Sequence, residues 1–289
     1  MIGQNERVLI DLHSHSNVSD GTEPPAEVLS RARAKGVDVL ALTDHDTVDG
    51  WDQATAALPP DLTLVPGMEL SCRSDGRSLH LLAYLFDPHE PELEAERRRI
   101  LDARVHRARG MVDRLQELGV PVTWEQVARL AGEGAVGRPH IARAMIEAGA
   151  VRTVEEAFTS TWIGSGGRAQ VKRYALDPVR AVRLVTAAGG VAVLAHPRAR
   201  KRGYVFGDAL IEELAGVGLS GIEVDHPDHD AKDRAALRGL AKGLGLVSTG
   251  SSDDHGELTG HRLGCETTSR DAFEALLNEA HGWTPVISG

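Results

Sequence analysis

The sequence predicts an α/β fold of the barrel type, and three observations lead to this prediction. Short apolar runs rich in Val, Leu and Ile alternate with amphipathic stretches, which is typical of parallel strands buried on both faces and joined by crossover helices. Residues that start and end helices lie between the runs. The strand pattern is interrupted once, in the middle of the chain, by a wholly helical stretch. We therefore expect a barrel-like α/β domain with a helical insertion.

Seven apolar runs are candidate strands: Arg7–His13, Val37–Thr43, Leu62–Glu69, Leu79–Phe86, Val191–His196, Gly221–Asp225 and Leu246–Gly250. Small polar residues and prolines indicate where the intervening helices start, and glycines indicate where they end. One helix is expected to start after Thr22, at Pro24 and Pro25, and to end at Gly36. A second is expected to start after Asp177, at Pro178, and to end at Gly189 and Gly190, and a third starts at Asp208. This order of elements predicts a parallel sheet covered by helices.

The strand pattern stops between about Pro91 and Lys172. Four helices are predicted there, at Ala95–Leu118, Thr123–Ala131, Arg138–Ala148 and Thr153–Thr159. We therefore divide the chain into a barrel, formed by residues 1–90 and 173–289, and a small helical insertion, formed by residues 91–172. The insertion is expected to cap the substrate site.

The composition excludes several classes of protein. With 289 residues, of which 42% are hydrophobic and 26% charged, the chain can bury a full core and is neither fibrous nor disordered. A net charge of −10 argues against binding along an extended nucleic-acid duplex. No run approaches the roughly 18 apolar residues of a membrane span, and the two cysteines, Cys72 and Cys265, suit a reducing compartment. We expect a cytoplasmic monomer or weak homo-oligomer that binds no membrane.

The distinctive feature of the sequence is the position of its His, Asp and Glu residues. His13 and His15 lie two residues apart at the end of a predicted strand, so that both side chains leave the same side of an extended chain. The other candidates are Asp20, His45, Glu69, His80, His196, Asp253 and His255. Almost all of them lie at the carboxyl ends of predicted strands, which share one rim in a parallel barrel. The pattern predicts a metal site at that rim.

The number and type of these ligands limit the metal ions. Nine ligands exceed the about four that one zinc ion takes, so two or three divalent ions are expected. Imidazole and carboxylate groups without thiolates suit Mn²⁺, Fe²⁺ or Zn²⁺. The ligand set alone leaves open whether phosphate esters, amides or lactones are hydrolysed.

Six motifs, taken in order, resemble the PHP (polymerase and histidinol phosphatase) family of metal-dependent phosphoesterases. They are His13-Ser14-His15, Ser19-Asp20-Gly21, Thr43-Asp44-His45-Asp46, Gly67-Met68-Glu69, Ala195-His196-Pro197 and Ser252-Asp253-Asp254-His255. The resemblance implies a distorted (β/α)7 barrel with a trinuclear metal centre. The helical insertion is similar to that of the branch acting on nucleoside 3′,5′-bisphosphates, nucleoside monophosphates and the 5′ ends of short RNA.

The resemblance also implies roles for individual residues. One ion takes His13, His15, Glu69 and Asp253, a second takes Glu69, His80 and His196, and a third takes Asp20, His45 and His255. Because Asp20 stands where some members have histidine, Mn²⁺ is favoured over Fe²⁺ and Zn²⁺. A hydroxide that bridges two ions is expected to attack phosphorus, with Asp253 or His226 handling the leaving-group proton. A surface role is the alternative for His226.

Five side chains outside this set are candidates for binding the substrate: Arg138, His140, Lys172, Arg198 and His261, with Arg173 and Lys201 as neighbouring cations. The first two begin a helix of the insertion, whose N-terminus favours a phosphate group. Lys172 lies where the chain returns to the barrel, and Arg198 follows a predicted strand. A solvated surface role is the alternative for these residues.

These expectations describe an enzyme, a metal-dependent phosphoric ester hydrolase. Its partner is a small phosphorylated substrate, either a nucleotide or the end of a short RNA, so that it acts as a phosphatase or a 5′-3′ exonuclease. Aromatic residues make up only 4% of the chain, too few for stacking along an extended single strand. The alternatives are a phosphatase for a metabolite such as histidinol phosphate, and a non-catalytic module that binds nucleotides.

Overall fold

The computed structural model describes residues 8–132, 134–200 and 205–288. The strands in these ranges are β1 (Ile10–Asp11), β2 (Val39–Leu42), β3 (Thr63–Ser74), β4 (Arg77–Tyr84), β5 (Val191–Leu194), β6 (Gly221–Asp225), β7 (Val247–Gly250) and β8 (Val286–Ile287). The α-helices are α1 (Pro25–Ala34), α2 (Trp51–Ala56), α3 (Pro91–Glu117), α4 (Trp124–Ala131), α5 (Arg138–Glu147), α6 (Val154–Ala157), α7 (Pro178–Ala187), α8 (Asp208–Ala215), α9 (Ala231–Leu244) and α10 (Arg270–Glu279). A short 3₁₀ helix, Gly256–Thr259, follows β7.

Seven strands form one sheet in the order β1-β2-β3-β4-β5-β6-β7, and β8 pairs with the start of β3. The strands from β1 to β3 and from β5 to β7 are parallel. The chain segments that follow the two edge strands meet through a parallel bridge between Ser14 and Asp254. The sheet is therefore a nearly closed barrel of seven mostly parallel strands, and the predicted α/β barrel is confirmed.

β4 differs from the predicted parallel pattern, because it runs antiparallel to both β3 and β5. Two residues, Asp75 and Gly76, join β3 to β4, and their φ angles are 49° and 75°, as in a tight hairpin turn of type I′. This reversal places the start of β4 at the same rim as the carboxyl ends of the parallel strands. His80, near the start of β4, is therefore brought to that rim.

Local signals explain most of the helix ends. Thr123 and Asp177 cap α4 and α7 with their side chains, as predicted. α3 begins earlier than predicted, because the side chain of Glu90 accepts a hydrogen bond from its first turn. Thr22 does not cap α1; its hydroxyl accepts a hydrogen bond from the N–H of Glu257 (2.9 Å) instead.

Apolar packing distinguishes the helical segment after β4 from the barrel. Helices α3 to α6 surround a hydrophobic cluster that includes Met111, Ile141 and Met145, whereas other clusters fill the barrel and the space beneath its outer helices. The exact boundaries of the insertion and its role as a cap stay predictions. None of the helices in the described ranges is both long and apolar enough to cross a bilayer.

Candidate metal centre

The candidate metal ligands lie together at one rim of the barrel. His13 and His15 follow β1, and Asp253 and His255 follow β7. Two backbone hydrogen bonds join these segments: the N–H of Asp253 donates to the carbonyl of His13 (2.9 Å), and the N–H of His15 donates to the carbonyl of Asp254 (2.9 Å). Closure of the sheet at this rim therefore unites two ligand pairs from opposite ends of the chain.

Glu69 is the centre of the cluster. It lies within β3 and is 1% exposed. Five imidazoles surround its two carboxylate oxygens: His13, His15 and His45 at Oε2, and His80 and His196 at Oε1. The nitrogen to oxygen distances are 3.1–3.3 Å at Oε2 and 2.6–2.9 Å at Oε1. This arrangement suits a carboxylate that is shared between metal ions.

Four ligand atoms, one of them from Glu69, have the spacing of a tetrahedral site. His13 Nε2 lies 3.1 Å from His15 Nε2 and 3.3 Å from Glu69 Oε2. Asp253 Oδ1 lies 3.4 Å from each of these two histidine nitrogens. A tetrahedral ion with ligands at about 2.0–2.1 Å holds neighbouring ligand atoms roughly 3.3 Å apart. These four residues therefore fit one metal ion.

A second group surrounds Asp20. Its Oδ1 lies 3.4 Å from His255 Nε2, and its Oδ2 lies 3.7 Å from His45 Nε2. Ligand atoms within 4.8 Å of one another form four overlapping groups, which are His13, His15, Glu69 and Asp253; His15, Asp20, His45 and His255; His45, Glu69 and His80; and His13, His196 and Glu223. All nine candidates belong to these groups. The groups differ from the assignment implied by the resemblance, because His45 also lies beside Glu69 and His196 beside Glu223.

The donor atoms of these residues fit divalent cations. Imidazole nitrogens and carboxylate oxygens are ligands for Mn²⁺, Fe²⁺ and Zn²⁺. The buried Nδ1 atoms of His45 and His80 lie 3.2 Å and 2.6 Å from the carboxylate oxygens of Glu69, but neither has the geometry of a hydrogen bond to any group in the described part of the chain. A buried polar atom without a hydrogen bond costs free energy, and a bound cation would remove that cost.

The charges within the cluster oppose the effect of burial on the pKa values of its side chains. Burial by itself lowers the pKa of His15, but its hydrogen bonds to Asp253 and Glu69 raise this pKa to about 10. For His45 burial prevails and lowers the pKa to about 3. Burial raises the pKa of Glu69, but the neighbouring histidines outweigh it and hold this pKa well below its usual range. The cluster therefore keeps Glu69 ionised, and this carboxylate attracts cations.

Two residues of the cluster have a left-handed backbone. The φ angle is 29° at His196 and 50° at Asp253, values that non-glycine residues rarely adopt. Such conformations persist where the surroundings hold them, and they are common at active sites. Here Glu223 accepts a hydrogen bond from the N–H of His196 (2.7 Å), and the carbonyl of His13 accepts the N–H of Asp253.

β6 and the residue that directly follows it place two polar side chains behind the cluster. His226 is fully buried, so that the surface role considered for it is wrong, and its Nε2 lies 3.2 Å from Asp253 Oδ2. Glu223 is also fully buried and accepts a hydrogen bond from His13 Nδ1 (3.1 Å). Sequence analysis missed Glu223, although a charged residue inside the apolar run Gly221–Asp225 is a usable signal.

Two of the predicted substrate-binding residues lie near the cluster. Arg138 lines a pocket together with Arg104 and Arg107 of α3. His140 is buried, and its Nδ1 accepts a hydrogen bond from the N–H of Gly137 (3.0 Å). Burial lowers the pKa of His140 to about 4, so this imidazole is neutral at pH 7.

Two other predicted residues are engaged elsewhere. Arg198 forms an ion pair with Asp208 (2.6 Å), which neutralises its charge. His261 Nδ1 lies 3.5 Å from a carboxylate oxygen of Glu23, which belongs to none of the ligand groups. The structure therefore gives no support to a substrate-binding role for Arg198 or His261. Lys201 lies outside the described residues.

The pocket beside Arg138 is strongly basic. Burial, followed by the charges of Arg138, Arg173 and Arg104, lowers the pKa of Arg107. The buried Nε of Arg107 and Nη1 of Arg173 have no hydrogen-bond acceptor among the described residues. The predicted Lys172 is exposed, whereas its neighbour Arg173 lies close enough to Arg107 for its charge to lower the pKa of Arg107.

The basic pocket borders the ligand cluster. A Cβ atom built on Gly137, which lines the pocket, would lie 3.7 Å from Asp20 Oδ2 and 3.8 Å from Arg104 Nη1. Sequence analysis missed Arg104 and Arg107, because charged residues on a long helix normally form a solvated face. Guanidinium groups stay charged at neutral pH, so an anion would be attracted to this pocket.

Comparisons with known proteins agree with this site. A family model described as the PHP domain matches residues 11–115. The chain is 35% identical over 246 residues to a 5′-3′ exoribonuclease of Haemophilus influenzae, covering 85% of this chain and 89% of that protein. It is 32% identical over 255 residues to a 3′,5′-nucleoside bisphosphate phosphatase of Chromobacterium violaceum, covering 88% and 89%.

A solved structure shares the whole architecture. It comes from Bifidobacterium adolescentis and is assigned to the metal-dependent phosphoesterases. Its TM-score to this chain is 0.88 at 31% sequence identity, with 96% of this chain and 98% of that chain covered. Together with the motifs at the barrel rim, these similarities show that the chain belongs to the PHP family of metal-dependent phosphoesterases and is a hydrolase.

Proposed function

We propose that this hydrolase removes a terminal phosphate, or a terminal nucleotide, from a nucleotide substrate that carries a second phosphate group. The substrate classes are a nucleoside 3′,5′-bisphosphate and the 5′ end of a short RNA. The observation that carries the proposal is the basic pocket beside Asp20, where Arg107, Arg138 and Arg173 gather next to the metal-ligand cluster, with Arg104 paired to Asp46 at its edge. The relatives named a bisphosphate phosphatase and an exoribonuclease support it.

Two or three divalent ions, with Mn²⁺ preferred, would be held by the nine rim residues: His13, His15, Asp20, His45, Glu69, His80, His196, Asp253 and His255. Such ions neutralise the charge of a phosphate group and lower the pKa of a bound water to near neutrality. The hard carboxylate of Asp20 favours Mn²⁺ over a softer metal. Fe²⁺ and Zn²⁺ are the alternatives.

The protein side chains position the substrate and move protons. Asp253 Oδ1 faces His13, His15 and His255 at distances of 3.4–3.5 Å, where it would bind metal, and we assign proton handling during the reaction to the Asp253 carboxylate. Arg138 and Arg107 bind the second phosphate through charge-assisted hydrogen bonds. Residues 91–172 act as the cap that carries these arginines over the rim.

The test is phosphate release by protein reconstituted with Mn²⁺. Four substrates are compared side by side: adenosine 3′,5′-bisphosphate, AMP, a short 5′-phosphorylated RNA and histidinol phosphate. We expect kcat/KM to be highest for the bisphosphate or the RNA. A preference for histidinol phosphate would overturn the nucleotide proposal, and inactivity on all four with metal bound would favour a module that only binds nucleotides.

A variant pair tests the basic pocket. Arg107→Met removes a guanidinium whose buried Nε has no hydrogen-bond partner in the described part of the chain, and it should lower kcat/KM for the bisphosphate by about 10-fold or more, the effect of losing a hydrogen bond to a charged group. Activity on p-nitrophenyl phosphate, which has no second phosphate, should change little. Arg129→Met is the control, because Arg129 is exposed and pairs with Glu147 on the surface. Equal losses on both substrates would contradict the role of Arg107.

A further inference from the structure

β6 and the residue that directly follows it present two polar side chains to the back of the metal-ligand cluster. Glu223 and His226 are both fully buried, and neither lines the basic pocket beside Arg138. A buried ionisable side chain is expensive unless it is well hydrogen-bonded. The hydrogen bonds that each one forms therefore indicate its role.

Glu223 accepts hydrogen bonds from three donors. Its Oε1 accepts from His13 Nδ1 (3.1 Å) and from the hydroxyl of Ser251, and its Oε2 accepts from the backbone N–H of His196 (2.7 Å). Because the N–H at Nδ1 of His13 donates a hydrogen bond to Glu223, the unprotonated nitrogen is Nε2, and its lone pair faces Glu69 and the other ligands. Glu223 thus fixes the tautomer and the orientation of His13.

The same hydrogen bonds indicate that Glu223 supports the metal ligands and is not itself a ligand. His13, His196 and Glu223 form a group close enough to hold an ion. An ion bound to Oε1 of Glu223 would have to displace the hydroxyl of Ser251 or the N–H of His13 Nδ1, and an ion bound to Oε2 would share that oxygen with the N–H of His196. Carboxylates that accept the second N–H of a metal-binding histidine are a common feature of metal sites.

His226 is fixed in the same way. Its Nδ1 accepts a hydrogen bond from the backbone N–H of Asp228 (3.0 Å), so its proton is on Nε2, which lies 3.2 Å from Asp253 Oδ2. The hydrogen bond to Oδ2 leaves Oδ1 of Asp253 directed at His13 and His15. His226 has no free nitrogen with which to exchange a proton with a leaving group.

We infer that Glu223 and His226 are positioning residues that orient His13, His196 and Asp253 and thereby set the affinity of the centre for metal. This inference rests on the proposed metal site, but not on the identity of the substrate. It replaces the role of His226 in proton transfer that the sequence suggested. Neither residue is assigned a contact with substrate.

The first experiment measures the affinity for Mn²⁺ and Zn²⁺ by competition with a chromophoric chelator, without any phosphate ester. Glu223→Gln keeps the size of the side chain but replaces an acceptor oxygen by a donor NH₂ group. His226→Gln removes the imidazole from Asp253. Each variant should weaken metal binding by about 10- to 100-fold, the usual effect of removing such a partner.

The matched control is His229→Gln. His229 is also buried after β6, but its ring hydrogen-bonds to backbone groups, the carbonyl of Val224 and the N–H of Arg198, and not to the side chain of a candidate ligand. Metal affinity should be unchanged in this variant. Urea unfolding of all three variants checks that each one folds.

Metal content at saturation separates positioning from ligation. A positioning role predicts that Glu223→Gln binds the same number of ions as the natural protein when metal is in excess, and that kcat then recovers at least in part. Loss of one equivalent of metal at saturation would make Glu223 a ligand and overturn the inference. Unchanged affinity in both Glu223→Gln and His226→Gln would overturn it as well. A wrong substrate assignment would leave all of these binding results intact.

Discussion

At the scale of single residues, Gly21 shows how closely the ligand loop after β1 is packed. The N–H of Gly21 donates to the carbonyl of Ser16 (2.9 Å), which turns the loop back on itself. A Cβ atom at Gly21 would lie 2.7 Å from the carbonyl oxygen of His15 and 2.9 Å from the carbonyl carbon of Ser16. Only a residue without a side chain allows this approach, and the turn places Asp20 beside His15.

We therefore predict that Gly21→Ala destabilises the protein by about 1–3 kcal/mol, the usual cost of overpacking, and weakens metal binding through the displaced loop. Gly239→Ala is the control, because a Cβ atom there meets nothing within 4 Å. This change within α9 should stabilise the protein by up to about 1 kcal/mol. Urea unfolding measures both effects, and equal stability of Gly21→Ala and the natural protein would contradict the first expectation.

At the scale of elements, a buried ion pair joins α3 to the barrel. Arg104 Nε donates to Asp46 Oδ2 (2.6 Å), and its Nη2 donates to the hydroxyl of Ser71 in β3 (2.9 Å). Asp46 also accepts the N–H of Ser71 (2.6 Å) and directly follows the ligand candidate His45. The helix that borders the basic pocket is thus attached beside a metal-ligand candidate.

Removing one partner of such a pair leaves the other charge buried and unpaired. Arg104→Ala should therefore lower the free energy of unfolding by about 3–5 kcal/mol. The corresponding change at an exposed pair, Arg129→Ala opposite Glu147, should cost no more than about 1 kcal/mol. Denaturant unfolding of the two variants measures the difference, and losses of similar size would show that the buried pair does not stabilise the fold.

At the scale of the whole molecule, the metal-ligand cluster coincides with the place where the barrel closes. The parallel bridge between Ser14 and Asp254 joins the segments after β1 and β7, and ligand candidates lie on both sides of it. Ions bound there would connect the segments that follow β1 and β7, which lie far apart in the sequence. Metal binding should therefore stabilise the entire fold.

An ion present at about 100 times its dissociation constant stabilises the folded state by about 2.7 kcal/mol. For a chain of this size we expect addition of Mn²⁺ to the chelator-treated protein to raise Tm by several degrees, at roughly 2–4 °C per kcal/mol. Differential scanning calorimetry gives the shift. Glu69→Gln should lose most of it, because Glu69 contacts five of the histidines, and a full shift in that variant would contradict its central role.

Sequence patterns predicted the α/β barrel, its seven main strands and the nine side chains that meet at the rim. They succeeded because buried strands require apolar runs, and because strand ends of a barrel share one rim whatever their separation in the chain. They also predicted the caps at Thr123 and Asp177, whose hydrogen bonds depend only on neighbouring residues. These features are determined by local composition and spacing.

The tertiary structure alone decided the remaining features. The reversal of β4, which brings His80 to the rim, depends on pairing with both β3 and β5. The gathering of Arg104 and Arg173 beside Arg107, while Arg198 pairs with Asp208 and Lys172 is exposed, depends on how distant segments pack in the folded chain. The role of Glu223 depends on donors from three different segments of the chain. Contacts between distant segments leave no spacing or period in a sequence, so that only the folded chain reveals them.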